Sequence, residues 1–215
     1  MEKNKVFSHI DHTLLKPDAT WKDVEKVCKE AIENDMASAC IPPRFVKQAK
    51  DAFGNRLNLC TVIGFPMGYA TTRVKVFETQ EAVEEGADEI DMVIHIGDAK
   101  AGDFVRITDE IRAVKAACSG KILKVIVETC YLNEEEKIAL CKCVTDGGAD
   151  FIKTSTGFGT GGATKEDIDL FKEHIGEGVR MKASGGIRTR EAIEGFINQG
   201  CARIGASGAL KAYEE

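Results

Sequence analysis

Four times along this chain a helical stretch ends on a residue suited to the left-handed cap and runs at once into an apolar segment: ENDMASACI from Glu33, EEGADEIDMVI from Glu84, DGGADFIKTS from Asp146 and NQGCARIGAS from Asn198. Gly86, Gly148 and Gly200 are the caps of the last three, since glycine adopts positive φ without a steric cost. Asp35 holds the same place in the first, and aspartate tolerates that conformation better than most residues do. Before the caps, apolar residues fall at helical spacing, as in Val24, Val27, Cys28, Ala31 and Ile32.

Strand-like runs are predicted at about 8–15, 37–41, 57–64, 87–94, 121–128, 149–155, 179–184 and 201–206, separated mostly by intervals of helix length. Apolar strands joined by helical crossovers imply a parallel sheet buried on both faces. An open doubly wound sheet meets the same pattern. Eight units in 215 residues, with no GxGxxG after the first strand, favour closure into a (β/α)8 TIM barrel instead. No linker or low-complexity stretch divides the chain, so one domain spanning 1–215 is expected.

The formal net charge of −6 offers no broad cationic field for nucleic acid or an anionic membrane, so any phosphate has to be held locally. No apolar leader and no run of 18 apolar residues is present, which points to a cytoplasmic protein. The eight cysteines read as intracellular thiols. Cys141 and Cys143 face different directions in a predicted helix, and the four histidines show no paired ligand spacing, so packing is expected of the cysteines and no metal is expected.

The residue five positions after each cap is Cys40, Asp91, Lys153 and Gly205, and these places are equivalent in the repeat, toward the carboxyl ends where barrel enzymes gather reacting groups. Asp91 interrupts Ile90-Asp91-Met92-Val93-Ile94, and Lys153 interrupts Phe151-Ile152-Lys153-Thr154. Lys182 repeats the pattern within Met181-Lys182-Ala183 on the following strand. The bland reading is a buried ion pair with a spare lysine reaching water. Two neighbouring ammonium groups, however, disfavour each other's charge, and desolvation acts in the same direction, so one amine is expected to have a lowered pKa and to serve as a nucleophile. Asp91 would exchange protons as a carbonyl adduct forms and collapses. The residues alone leave open which lysine attacks.

Glycine-rich turns follow three late strands: Thr154-Ser155-Thr156-Gly157, Ser184-Gly185-Gly186-Ile187-Arg188 and Gly205-Ala206-Ser207-Gly208. Barrels often hold phosphate with the loops after the last two strands, where backbone N–H groups can approach it. Arg188 can act as a charged donor there or lie on the surface.

The motifs FIKTSTG, MKASGGIRT, EIDMVI, DHTLLKPDAT and CTVIGFPMG, spread almost end to end, resemble those of the deoxyribose-phosphate aldolases. The resemblance implies a class I aldolase, a lyase that reversibly cleaves 2-deoxy-D-ribose 5-phosphate to D-glyceraldehyde 3-phosphate and acetaldehyde with no metal and no cofactor. It implies that Lys153 forms the Schiff base, that Lys182 perturbs its pKa and moves protons, and that Asp91 is a proton donor and acceptor. Gly157, Gly185, Gly186, Gly205 and Ser207 would line the phosphate site, and Asp11 and Thr13 an outer polar network. Glu128 can be a buried structural carboxylate, and Cys40 either core or an accessible thiol. Pro42, where an asparagine is common, and Gly208, in place of a second serine, depart from the family pattern, and no role passes to Tyr213. Homodimerisation is a family-level expectation. The rival readings are a non-catalytic sugar-phosphate-binding barrel and an isomerase or synthase acting on another phosphorylated sugar.

Overall fold

The computed structural model describes residues 1–214. In chain order its elements are α1 (Lys3–Phe7), β1 (Ile10–Thr13), α2 (Trp21–Glu33), β2 (Ser38–Cys40), α3 (Val46–Phe53), β3 (Leu59–Ile63), α4 (Thr72–Glu84), β4 (Glu89–Val93), α5 (Ile96–Lys100), α6 (Phe104–Ala117), β5 (Ile122–Ile126), α7 (Glu134–Asp146), β6 (Phe151–Lys153), α8 (Lys165–His174), β7 (Arg180–Ser184), α9 (Arg190–Gln199) and β8 (Arg203–Ala206). The eight strands pair in sequence order and all in parallel, and β8 returns to β1 to close the sheet into a (β/α)8 barrel.

The repeated caps make this geometry. Asp35, Gly86, Gly148 and Gly200 have φ of 50°, 107°, 76° and 111°. In each case the next residue donates its N–H to the carbonyl five positions back: Met36 to Ala31 at 2.9 Å, Ala87 to Ala82 at 2.9 Å, Ala149 to Val144 at 3.2 Å and Cys201 to Phe196 at 3.0 Å. This is the Schellman closure, which satisfies a terminal carbonyl and turns the chain back toward the sheet. Four crossovers therefore enter their strands at the same phase.

Alternation along the strands separates two environments. Ile90, Met92, Leu123, Val125, Ile152, Met181, Ala183 and Ile204 belong to one buried apolar cluster with helix residues such as Ile107, Ile111, Leu140 and Ile193. Each fully buried Ile, Leu or Phe of this shell contributes about 1.5–3 kcal/mol. The side chains between them point into the lumen. There the usual layers of branched residues give way to charge: Asp11, Asp91, Lys124 and Lys182 are all 0 % exposed. Two details lay outside the sequence reading. The interval after β4 holds two helices rather than one, with His95 Nδ1 accepting from Asp98 N–H at 3.0 Å to cap α5. A short α1 also precedes β1. All eight cysteines are free, and Cys141 and Cys143 are packed in α7.

Candidate active site

Every strand sends a polar or titratable side chain into the lumen, and the center of the cluster is Asp91 on β4. Its Oδ2 accepts from Lys153 Nζ at 2.9 Å and from Lys182 Nζ at 2.7 Å, so the two ammonium nitrogens stand within two hydrogen-bond lengths of each other. Its Oδ1 accepts from Lys124 Nζ at 2.8 Å and from the Cys60 thiol at 3.2 Å. Lys182 also donates through a short contact to Asp11 Oδ2. The other oxygen of Asp11 accepts from Ser38 Oγ at 2.8 Å and from Arg203 Nη1 at 2.5 Å. Arg203 and Lys124 both reach Glu89, whose carboxylate completes the floor.

Burial opposes the charge on Asp91, but the ammonium groups of Lys124, Lys153 and Lys182 outweigh it and hold the carboxyl well below the usual carboxylate range. Burial likewise disfavours the Lys182 ammonium, yet Asp11 and Asp91 raise it above the ordinary lysine value. The expectation of a lowered amine therefore does not apply to Lys182. Burial pushes the Cys60 thiol well above its ordinary value, which keeps it a neutral donor.

At the carboxyl ends of the strands a cavity of about 260 Å³ opens, with Lys153 in its wall. Asp91 and Lys182, both fully buried, lie beneath it and do not line it. The same cavity is lined by Gly157, Gly185, Gly186, Gly205 and Ser207, the residues singled out for phosphate, and by Thr13 and Arg188. Gly157, Gly185 and Gly186 have φ of 86°, 87° and 75°, a backbone region that other residues enter at a cost. A Cβ on Gly205 would stand 2.9 Å from Ser184 Cβ and 3.3 Å from Lys182 Cε, so this glycine makes room for the lysine as well as for a ligand.

The three predicted catalytic residues thus meet, and the predicted phosphate residues share one cavity with Lys153. Asp11 departs from expectation: rather than joining an outer network it sits at the center, bound to Lys182, while its neighbor His12 faces the helices and pairs with Glu30 at 2.8 Å. Cys40 is fully buried, which settles it as core rather than accessible thiol. Tyr213 packs edge-on against Phe7 and donates to Glu194, a structural role. Glu128, 2 % exposed and held at φ 57°, accepts from Thr156 N–H at 3.1 Å and from its hydroxyl through a short contact, and so braces the turn that carries Gly157.

Lys124, Glu89 and Arg203 were missed by sequence reasoning. The signal for Lys124 was present, because it interrupts Ile122-Leu123-Lys124-Val125-Ile126 just as Lys153 interrupts its own strand. Among the described residues, Cys40, Cys60 and Asp91 bring three potential metal-ligand atoms within 4.8 Å of one another. Both oxygens of Asp91 are taken by ammonium groups, and Lys124 Nζ lies 3.3 Å from Cys60 Sγ, so the set presents cations to a cation and does not fit a metal.

The family model for DeoC/LacD family aldolases matches residues 5–212. The chain is 56% identical to deoxyribose-phosphate aldolase of Clostridium botulinum (strain Alaska E43 / Type E3), over 98% of this chain and 95% of that protein. It is 52% identical to deoxyribose-phosphate aldolase of Clostridioides difficile (strain 630), over 96% of this chain and 94% of that one. Among solved structures, the tetrameric deoxyribose phosphate aldolase from Aeropyrum pernix is 32% identical and superposes with a TM-score of 0.91, covering 98% of this chain and 90% of that chain. The chain belongs to the DeoC/LacD family of aldolases.

Proposed function

We propose that this chain catalyses the reversible aldol cleavage of 2-deoxy-D-ribose 5-phosphate to D-glyceraldehyde 3-phosphate and acetaldehyde through a Schiff base on Lys153. The observation that carries the reading is that Lys153 alone of the three central charged residues lines the cavity, with its amine on the same Asp91 oxygen as the buried Lys182 ammonium.

In the cleavage direction the neutral amine of Lys153 attacks the aldehyde carbon of the open-chain sugar, and the carbinolamine loses water to give a protonated imine. The hydroxyl on the carbon two removed from the imine carbon gives up its proton, the bond from that carbon to the carbon adjacent to the imine breaks, and its electron pair moves toward the imine to form an enamine. D-Glyceraldehyde 3-phosphate leaves. The enamine carbon takes a proton, and hydrolysis of the resulting imine releases acetaldehyde and restores the amine. Asp91, held anionic, and Lys182, held as an ammonium, form the acceptor and donor beneath the adduct that these proton transfers need. The glycine-lined wall and the Ser207 hydroxyl would take the phosphate, fixing the distance from the anion to the reacting carbon.

Organization as one domain, homodimer assembly and a cytoplasmic location belong to the same reading. Among the described residues no helix is long and apolar enough to cross a membrane. The test is borohydride reduction in the presence of acetaldehyde followed by peptide mapping. An ethyl group on Lys153 is expected; an unmodified Lys153, or the adduct on Lys182, overturns the assignment.

A further inference from the structure

The lumen contains more charge than the proposed chemistry uses. Asp11 comes from β1, Glu89 and Asp91 from β4, Lys124 from β5, Lys153 from β6, Lys182 from β7 and Arg203 from β8, while β2 and β3 add the thiols of Cys40 and Cys60. Four cationic side chains therefore face three carboxylates in a largely buried space. Lys124 is the hinge between the two ends. Its Nζ lies 2.8 Å from Asp91 Oδ1, 2.6 Å from Glu89 Oε2 and 3.6 Å from Asp11 Oδ2. Arg203 in turn grips Glu89 with both terminal nitrogens, at 2.9 and 2.7 Å, and rests 5.8 Å from the center of the Phe151 ring.

Two consequences follow from elementary electrostatics. Because Lys124 occupies Oδ1 of Asp91, only Oδ2 is left to the two lysines on β6 and β7, and they have to share it. Four cations against three carboxylates leave an excess of one, and of the three lysines only Lys153 stands in the cavity wall. Glu89 and Arg203 touch neither the cavity nor Lys153, yet they fix the position of Lys124 and complete the charge count.

Building on the Lys153 imine chemistry proposed above, we infer that Glu89, Lys124 and Arg203 are positioning residues whose charges govern, from the amino-terminal end of the lumen, the pH at which the amine becomes reactive. Glu89→Gln raises the cationic excess from one to two and favours the neutral amine. Lys124→Met lowers it to zero and leaves Asp91 more of its charge to hold an ammonium in place. The double variant returns the excess to one. Each substitution changes the count by a unit and leaves the thiols of Cys40 and Cys60 in place, so the order of the four profiles follows from the substitutions themselves.

The experiment is the pH dependence of kcat/KM with 2-deoxyribose 5-phosphate, together with borohydride trapping of acetaldehyde across the same range, for the wild type, Glu89→Gln, Lys124→Met and the double variant. The acid limb of kcat/KM reports the free enzyme. It is expected to move to lower pH in Glu89→Gln and to higher pH in Lys124→Met, each by on the order of one pH unit, and to return near the wild-type position in the double variant. A merely structural role predicts loss of rate with an unmoved limb, or damage that adds in the double variant; either result overturns the inference. Should Lys124→Met fail to fold, Arg203→Met removes a cation from the same network and has to shift the limb in the same alkaline direction. A wild type that traps no acetaldehyde sinks the imine reading itself, whereas normal trapping with unmoved limbs sinks only the role of the distant charges.

Discussion

Replacement of Lys182 by methionine separates its structural ion pairing from the role that the proposed mechanism gives it. Its side chain is 1% exposed, and its ammonium bonds to Asp11 and Asp91, both fully buried. Removing one partner of a buried ion pair costs about 3–5 kcal/mol. Asp91 keeps Lys124 and Lys153, and Asp11 keeps Arg203 and Ser38, so the lower end, about 3 kcal/mol, applies. For a chain of this size that corresponds to a fall in Tm of roughly 6–12 °C. The kinetic effect has a different origin. At an effective dielectric constant near 20 and a separation of about 5 Å, the repulsion between two ammonium groups is about 3 kcal/mol, or roughly two pH units. Without it the acid limb of the kcat/KM profile moves to higher pH, and Asp91, relieved of one cation, pulls in the same direction. Differential scanning calorimetry measures the first effect and a pH–rate series the second. A Tm that falls while the acid limb stays within a few tenths of a unit would show Lys182 to be scaffold alone.

Lys153→Ala should reduce turnover by at least about four orders of magnitude while the protein stays folded, because Asp91 retains two ammonium partners; a rate within tenfold of wild type refutes the nucleophile assignment. Gly205→Ala places a Cβ 2.9 Å from Ser184 Cβ and 3.3 Å from Lys182 Cε, so a higher KM for the phosphorylated substrate is expected together with a displaced Lys182; unchanged steady-state constants argue against the crowding. For acid stability the sign follows from Asp11 and Asp91, whose folded-state values lie below the ordinary 3.8. Their contribution is complete above that value and is lost as pH falls through the depressed ones, so urea midpoints should hold to about pH 5 with respect to these groups and drop below about pH 4. In Lys182→Met, where one depressing cation is gone, the drop should start at the same pH but be smaller and end at higher pH, and identical acid profiles for the two proteins count against the pairing.

The fold was legible in this chain because its local signals agree with one another. Helical spacing, a cap at fixed phase and an apolar run recur together in four segments, and the closed barrel follows because eight strand-and-helix units leave little chain for anything else. Each predicted strand interval contains the observed strand, including β6, which is only Phe151–Lys153. The central triad was legible for a related reason: a charge inside an apolar strand is costly unless something uses or pairs it, and Asp91, Lys153 and Lys182 each break such a run. The second helix after β4 was not, since the length of an interval does not state how many helices fill it.

Lys124 shows where this kind of reading stops short. Its sequence context is as anomalous as that of Lys153, but the equivalence drawn between repeats rested on the four capped segments, and the turn before β5 carries Ser119 and Gly120 in positive φ rather than the same signature. Glu89 and Arg203 stand at the starts of their strands, and only the barrel's closure brings them together across the lumen, where Arg203 bridges Glu89 and Asp11. That pairing across non-adjacent strands is long-range in sequence and therefore invisible to any local pattern. It also explains how an aldolase lumen can hold so many charges: each carboxylate touches at least two cations, so desolvation is offset group by group. The charges that stabilise the lumen are thus the same ones the proposed chemistry draws on, so removing one of them, as in Lys182→Met, is expected to cost stability and to shift reactivity together.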